Sequence, residues 1–304
     1  MEFKKVLLAF FAVFAIALIM FYLIFASGEI RFSQNTNPNF NIGNLSSNMQ
    51  FYENMRYPSS NISYEIDNNC SLQRKNAMDN AISYVENLTI LKFYKTDYNP
   101  EITISCNYKT IPAGNGAFVA GEGGTTKVIE EKNFDVILDG EVLLLRDSNC
   151  PNPNIEIHEL MHALGFAHSK NPQNIMYPIS DCSQTLGSDI PSKIAELYSF
   201  PSYPDLAISN VSASMEGIYL NMNLSVENEG LANSTGGNIV IFADGEKVKS
   251  IGIDELGIGE GMNIKLTNII IPKIKTNELK VSIETNESEL SLGNNNVTLS
   301  ALQN

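Results

Sequence analysis

The chain has 304 residues, 43% of them hydrophobic and 18% charged, with a formal net charge of −14. That length suggests about two domains, and the apolar content is sufficient for sizeable cores. The acidic balance, with no Lys/Arg block after the first few residues, argues against nucleic acid as a partner, because phosphate binding needs clustered cations.

At the N-terminus, Lys4 and Lys5 precede Val6–Ala26, a run of 21 residues without a charge or a proline. At 1.5 Å per residue the run spans about 31 Å, enough for a hydrocarbon core of about 30 Å. The next charge is Glu29, so the positive-inside rule leaves the short N-terminus in the cytoplasm and puts the rest outside. A cleaved signal peptide, giving a secreted protein, is the rival reading. Its apolar region is normally about 7–15 residues long and ends in a small-x-small site. This run is longer and exits through FYLIFASGE, so length favours an uncleaved single-pass anchor within residues 1–27. Four cysteines, Cys70, Cys106, Cys150 and Cys182, all follow the span, and none shows C-x-x-C spacing. An even number in an oxidising compartment points to disulfides. Three connectivities are open, and Cys70–Cys106 with Cys150–Cys182 is the expected one. Nine N-x-S/T sequons, from Asn44 to Asn296, would meet a glycosylation system if the host has one.

Residues 28–50 are polar, Asn/Ser-rich and aperiodic, the composition of a stalk or linker. Residues 51–200 mix strands with helices. NISYEI (61–66) alternates like a strand, and Ser71 then has the position of an N-cap. The following helix carries Ala77, Met78, Ala81, Ile82 and Val85 as a stripe. EITISC (101–106) is strand-like. FDVILDGEVLLLR (134–146) places Asp139-Gly140 between two apolar runs, the signal of a hairpin. The order of elements is that of an α+β domain. Pro201 and Pro204 mark its end.

All three histidines of the chain fall within HELMHALGFAH, residues 158–168. On a helix, His158 and His162 project from one face one turn apart and can share a metal. Gly165 can take the left-handed conformation that ends the helix, after which His168 can return as a third ligand. Three neutral imidazoles leave one tetrahedral position open, the arrangement of a catalytic zinc. Glu159, beside the first ligand, is placed to exchange a proton with water at that position.

HELMHALGFAH resembles the zinc signature of the metzincin metallopeptidases. Met176 in NIMYP (174–178) lies where their methionine turn follows, and the Met-Tyr-Pro is similar to that of the matrixin branch. SQTLGSDIPSKIAELYSFP (183–201) resembles the last helix of that domain. The resemblance runs over residues 51–200 and implies a twisted sheet, an active-site helix, and a substrate strand along an edge strand within 112–130. By residue it implies His158, His162 and His168 as zinc ligands, Glu159 as general base and Met176 as the apolar floor under the zinc. It also implies one Zn2+ and a protein or peptide substrate. The chain departs from the animal enzymes in three ways. No histidine remains for a second, structural zinc; the first cysteine, Cys70, lies inside the domain, so no cysteine switch is visible; and Ser180 stands where a tyrosine is usual. Structural Ca2+ is compatible with Gly-rich loops such as GEGGTT (121–126), although no calcium-loop pattern is readable.

Residues 205–304 read as strand after strand. In IYLNMNLSVEN (218–228), Leu220, Met222, Leu224 and Val226 alternate with polar residues, and Asp244-Gly245 separates two apolar runs. About seven short strands in roughly 100 residues fit an immunoglobulin-like sandwich. PDLAISNVSAS, VENEG, FADGEKV and GNNNVTL resemble the CARDB module of prokaryotic surface proteins, which implies adhesion, substrate presentation or spacing, and a cell-surface partner. The whole reads as a membrane-anchored extracellular zinc endopeptidase. The alternative is a non-catalytic surface protein that grips peptides through a metal-stabilised domain.

Overall fold

The computed structural model describes residues 2–25, 29–36, 41–43, 49–114, 117–147, 150–273 and 275–302. The sequon at Asn44 lies outside them. In chain order the first elements are α1 (Glu2–Phe25), β1 (Ile30–Thr36), β2 (Asn61–Ile66), α2 (Leu72–Leu88), β3 (Lys92–Lys95) and β4 (Ile102–Cys106). Next come β5 (Pro112–Gly114), β6 (Ala117–Phe118), β7 (Gly121–Glu130), β8 (Asp135–Leu144), α3 (Asn154–Ala163) and α4 (Asp189–Leu197). The last are β9 (Leu206–Glu216), β10 (Tyr219–Asn228), β11 (Gly237–Ala243), β12 (Glu246–Ile253), β13 (Gly261–Ile270), β14 (Glu278–Glu284) and β15 (Asn296–Ala301). They form two compact units, Asn41–Tyr203 with Gly230–Ala232, and Met1–Phe40 with Pro204–Glu229 and Asn233–Asn304.

The first unit is built on a five-stranded sheet of order β3-β2-β4-β8-β7. Its strands are parallel except β7, which lies antiparallel at the edge. The Oγ of Ser71 accepts a hydrogen bond from the Arg74 amide at 3.3 Å and caps α2. Met78, Ala81, Ile82 and Val85 of α2 are buried with Ile62, Ile102 and Ile104 of the sheet. Arg74 is buried on the same helix, because its guanidinium donates to Asp147 and to the carbonyls of Asn107 and Leu144. All ten residues of α3 are buried, as befits a helix packed against β7, β8 and α2 at once. Disulfides join Cys70 to Cys106 and Cys150 to Cys182, the expected pairing.

Two expectations fail in this unit. Asp139-Gly140 is not a hairpin turn: β8 continues through it. A Cβ on Gly140 would lie 2.6 Å from the Tyr57 hydroxyl and 3.1 Å from the Ala163 carbonyl, so this glycine serves a close approach rather than a bend. GEGGTT is likewise not a loop but the start of β7.

The second unit is a β-sandwich of eight strands in the order β12-β11-β14-β15-β1-β9-β10-β13. Strands from both ends of that order share one core, in which Ile239 and Ile241 of β11 and Val281 of β14 join Leu220, Met222 and Leu224 of β10. At the Asp244-Gly245 turn both residues have positive φ, 47° and 83°, the type I′ geometry that a two-residue hairpin favours. The stalk expected over 28–50 is corrected at Ile30–Thr36, which is a strand inserted between β15 and β9. Phe32 faces the core there between exposed Arg31 and Ser33, an alternation too short to stand out in the sequence.

α1 covers the apolar N-terminal run with 24 residues. Its side chains are described at 6, 7 and 10–19, where all are exposed. Among the described residues, no helix is both long and apolar enough to cross a membrane. The fold therefore leaves the expected transmembrane helix unsupported.

Candidate metal centre

α3 ends where Gly165 takes a φ of +89°. The Gly165 amide donates to the His162 carbonyl and the Phe166 amide to the Met161 carbonyl, each at 3.0 Å, which is the Schellman closure of a helix. The reversed chain then runs beside residues 49–51, with the Phe51 amide on the Gly165 carbonyl and the Ala167 amide on the Met49 carbonyl. This turn brings His168 back over the helix. The Nε2 atoms of His158, His162 and His168 lie 3.0, 3.2 and 3.3 Å from one another.

That spacing can be tested against a metal. A tetrahedral ion with Zn–N bonds of 2.0–2.1 Å needs ligand nitrogens about 3.3–3.4 Å apart, so the three imidazoles fit zinc. The second nitrogens agree. His158 Nδ1 donates to the Ile175 carbonyl and His162 Nδ1 to the Phe166 carbonyl, both at 2.7 Å. A carbonyl only accepts, so these rings carry their proton on Nδ1 and present a lone pair at Nε2. Burial lowers the pKa of all three histidines, that of His162 to about 4, which keeps the rings neutral as metal ligands. His168 is exposed while His158 and His162 are buried, so the cluster opens to solvent on one side.

Glu159 shares α3 with the first two histidines and is 6% exposed. Burial first, then the charges of Glu122 and Glu156, raises its pKa to about 8. β7 passes directly against it. A Cβ on Gly121 would lie 2.6 Å from Glu159 Cγ, and one on Gly123 would lie 2.2 Å from the Glu159 carbonyl oxygen. Only glycine permits this approach of strand to helix.

Met176 is buried in the turn whose Ile175 carbonyl holds His158. Asn174, which the sequence did not single out, braces that turn. Its Oδ1 accepts from the Met176 amide at 2.8 Å, and its Nδ2 donates to Asp189 at the start of α4. An Asn two residues ahead of the amide it caps is a readable Asx-turn signal. A cavity of about 270 Å3 beside His168 is lined by Met49, Phe166, Met176 and Ile190 together with Asn174 and Asp189. Phe51 stacks on His162 with ring centroids 5.6 Å apart.

Residues 56–199 match the family model described as Matrixin, and residues 203–299 match CARDB. The chain carries a matrixin domain followed by a CARDB domain. No curated protein matches it. Among solved structures, a CARDB domain from Pyrococcus furiosus, in complex with di-metal ions, is similar at 14% identity and a TM-score of 0.28. The match covers 33% of this chain and 88% of that one. The matrixin domain thus contains the histidine triad, Glu159, and the edge strand β7 that packs on it.

Proposed function

We propose that the matrixin domain is a zinc-dependent endopeptidase, with His158, His162 and His168 as ligands, Glu159 as general base and Met176 and Gly165 in support. The convergence of three Nε2 lone pairs on one point beside a buried carboxylate carries this reading. Zinc held there would act as a Lewis acid towards a peptide carbonyl and would acidify water. The chain's own residues supply the rest. The free edge of β7 can take an extended peptide as an added strand, and its glycines let that peptide approach α3. Glu159 accepts a proton from the attacking water as the C–O bond forms. It passes the proton to the amide nitrogen as the C–N bond breaks. A carboxylate whose pKa is raised by burial is suited to both halves of that exchange.

Glu159→Ala is the deciding experiment. It should retain stoichiometric zinc and lose roughly 10^3-fold or more in kcat on a peptide library. Full cleavage by the variant would overturn Glu159 as general base, and a zinc-loaded wild type that cleaves no peptide would leave a metal-stabilised, peptide-gripping surface protein.

We also propose that α1 holds both domains at the outer face of a membrane, and that the CARDB domain spaces the enzyme or meets a surface partner. Exposed apolar side chains along α1, among them Phe10, Phe11, Phe14 and Ile16, support the first part, as do two disulfides, which persist in oxidising compartments. Carbonate-resistant membrane association, with the chain accessible to external protease, is the expected result. Release as a soluble protein truncated after the apolar run would favour secretion.

A further inference from the structure

The sandwich contains a second buried polar cluster, and its chemistry is the opposite of the histidines'. Asp205, just ahead of β9, has no exposed surface. Its Oδ1 accepts from Asn294 Nδ2 at 3.1 Å, while its Oδ2 is buried without a hydrogen-bond partner. The Ser291 amide approaches this carboxylate and favours its charge, but not at an angle and distance that would satisfy Oδ2. Glu289 lies over the same strand start, with Oε1 accepting from the Leu206 amide at 2.8 Å and Oε2 accepting from Asn295 Nδ2. A carboxylate can only accept, so each asparagine must turn its nitrogen to the acid and its oxygen away. Asn294 Oδ1 and Asn295 Oδ1 are consequently both buried and both without a partner, on side chains 5% and 2% exposed.

Three acceptor oxygens from three almost fully buried residues are thus left over in one small network. The charges that act on Asp205 are those of Glu289 and Glu229, and the charge that acts on Glu289 is that of Glu287. All are negative. Among the described residues, neither Asp205 nor Glu289 pairs with a lysine or arginine. One water offers only two donors and no charge, which leaves at least one acceptor and the carboxylates unmatched. A cation would supply both the positive charge and the additional bonds that a single water lacks.

We propose that Asp205 Oδ2, Asn294 Oδ1 and Asn295 Oδ1, with Glu289, form a site for Ca2+ in the CARDB domain. The leftover atoms are all oxygens, from both carboxylate and amide, which selects a hard cation over zinc. Several protein oxygens on separate segments suit the adaptable, high coordination number of Ca2+ better than the strict, water-rich octahedron of Mg2+. Bound there, the ion ties the start of β9 to the loop that leads into β15. It neutralises charge that the fold otherwise buries bare.

Hydrogen exchange on the full zinc-loaded chain, in calcium-free buffer and in millimolar Ca2+, tests this. Calcium should slow exchange in residues 204–209 and 290–298 of the wild type by roughly 10-fold or more. Mg2+ at the same concentration should do much less. Asp205→Asn removes the charge but can still accept from Asn294. It should match the wild type in calcium-free buffer over β10 and β14, which reports its fold, and should show no calcium effect. Glu289→Gln serves as a second variant, and equilibrium dialysis of Ca2+ against the wild type is a direct check that needs no variant. Protection by calcium that survives both substitutions, or a wild type that neither binds Ca2+ nor gains protection, overturns the site.

Discussion

In the histidine cluster, two of the three Nδ1 atoms are bonded to main-chain carbonyls, so what remains facing the common point is nitrogen lone pairs. In the cluster around Asp205 the amide nitrogens are bonded to carboxylates, and what remains is oxygen. The two units bury polar atoms under one rule, that each donor must find an acceptor, and end with surpluses of different kinds. The kind of ion each can hold is decided by the atoms left after hydrogen bonding. Residue type alone does not decide it.

The largest effect that tests this contrast is loss of a ligand. His162→Ala should weaken zinc binding by something like 10^3-fold, whereas Asn174→Ala, which removes only the brace of the turn behind His158, should weaken it about 10–100-fold. Zinc competition with a chromophoric chelator measures both. Equal losses in the two variants would show that ligand and brace are not separable.

Covalent ties differ between the units as well. All four cysteines lie in the first unit. Loops of 36 and 32 residues are closed, and losing either bridge should cost about 4 kcal/mol by the chain-entropy account. Reduction should therefore lower the melting transition of the matrixin domain and leave that of the CARDB domain in place, as read by hydrogen exchange in each.

The two Asp-Gly pairs come next. Gly140→Ala must place a methyl against the buried Tyr57 hydroxyl and the Ala163 carbonyl, an overpacking worth about 1–3 kcal/mol. Gly245→Ala meets nothing within 4 Å and carries only the strain of its left-handed φ, about 1 kcal/mol. Denaturant melts of the two variants should rank in that order.

The smallest effect concerns pH. Burial, then the charges of Glu130 and Glu53, raises Asp135 from 3.8 to about 6. The folded state of this unit therefore binds the proton more tightly than the unfolded chain does. Its contribution is complete below 3.8 and is lost as pH rises through about 6. Asp135→Asn should match the wild type at low pH and melt slightly higher at neutral pH.

Much of the site was legible because its determinants are local. The i, i+4 spacing of His158 and His162, the helix-ending Gly165 and the cap at Ser71 all act within a turn or two of chain. The disulfide pairing follows chain order, first with second and third with fourth. What misled were glycines. Asp139-Gly140 and Asp244-Gly245 look alike, yet one faces a neighbouring helix and the other a bend. GEGGTT reads as a loop because the group that Gly121 and Gly123 meet, Glu159, lies on a helix much further along the chain. Nothing in the local pattern of β7 announces that contact.

By itself the sequence determined the helix that carries the two paired histidines, the turn that returns the third, the division into two domains and most of the strands. These follow from periodicity, capping and turn chemistry, which are properties of short windows. Only the tertiary structure decided that β1 completes the sandwich, that β7 presses its glycines against Glu159, and that Asp205, Glu289, Asn294 and Asn295 share one buried network. Each depends on segments brought together from distant parts of the chain. Whether a polar atom there has a partner is a property of the packed fold, because burial removes the water that would otherwise supply one.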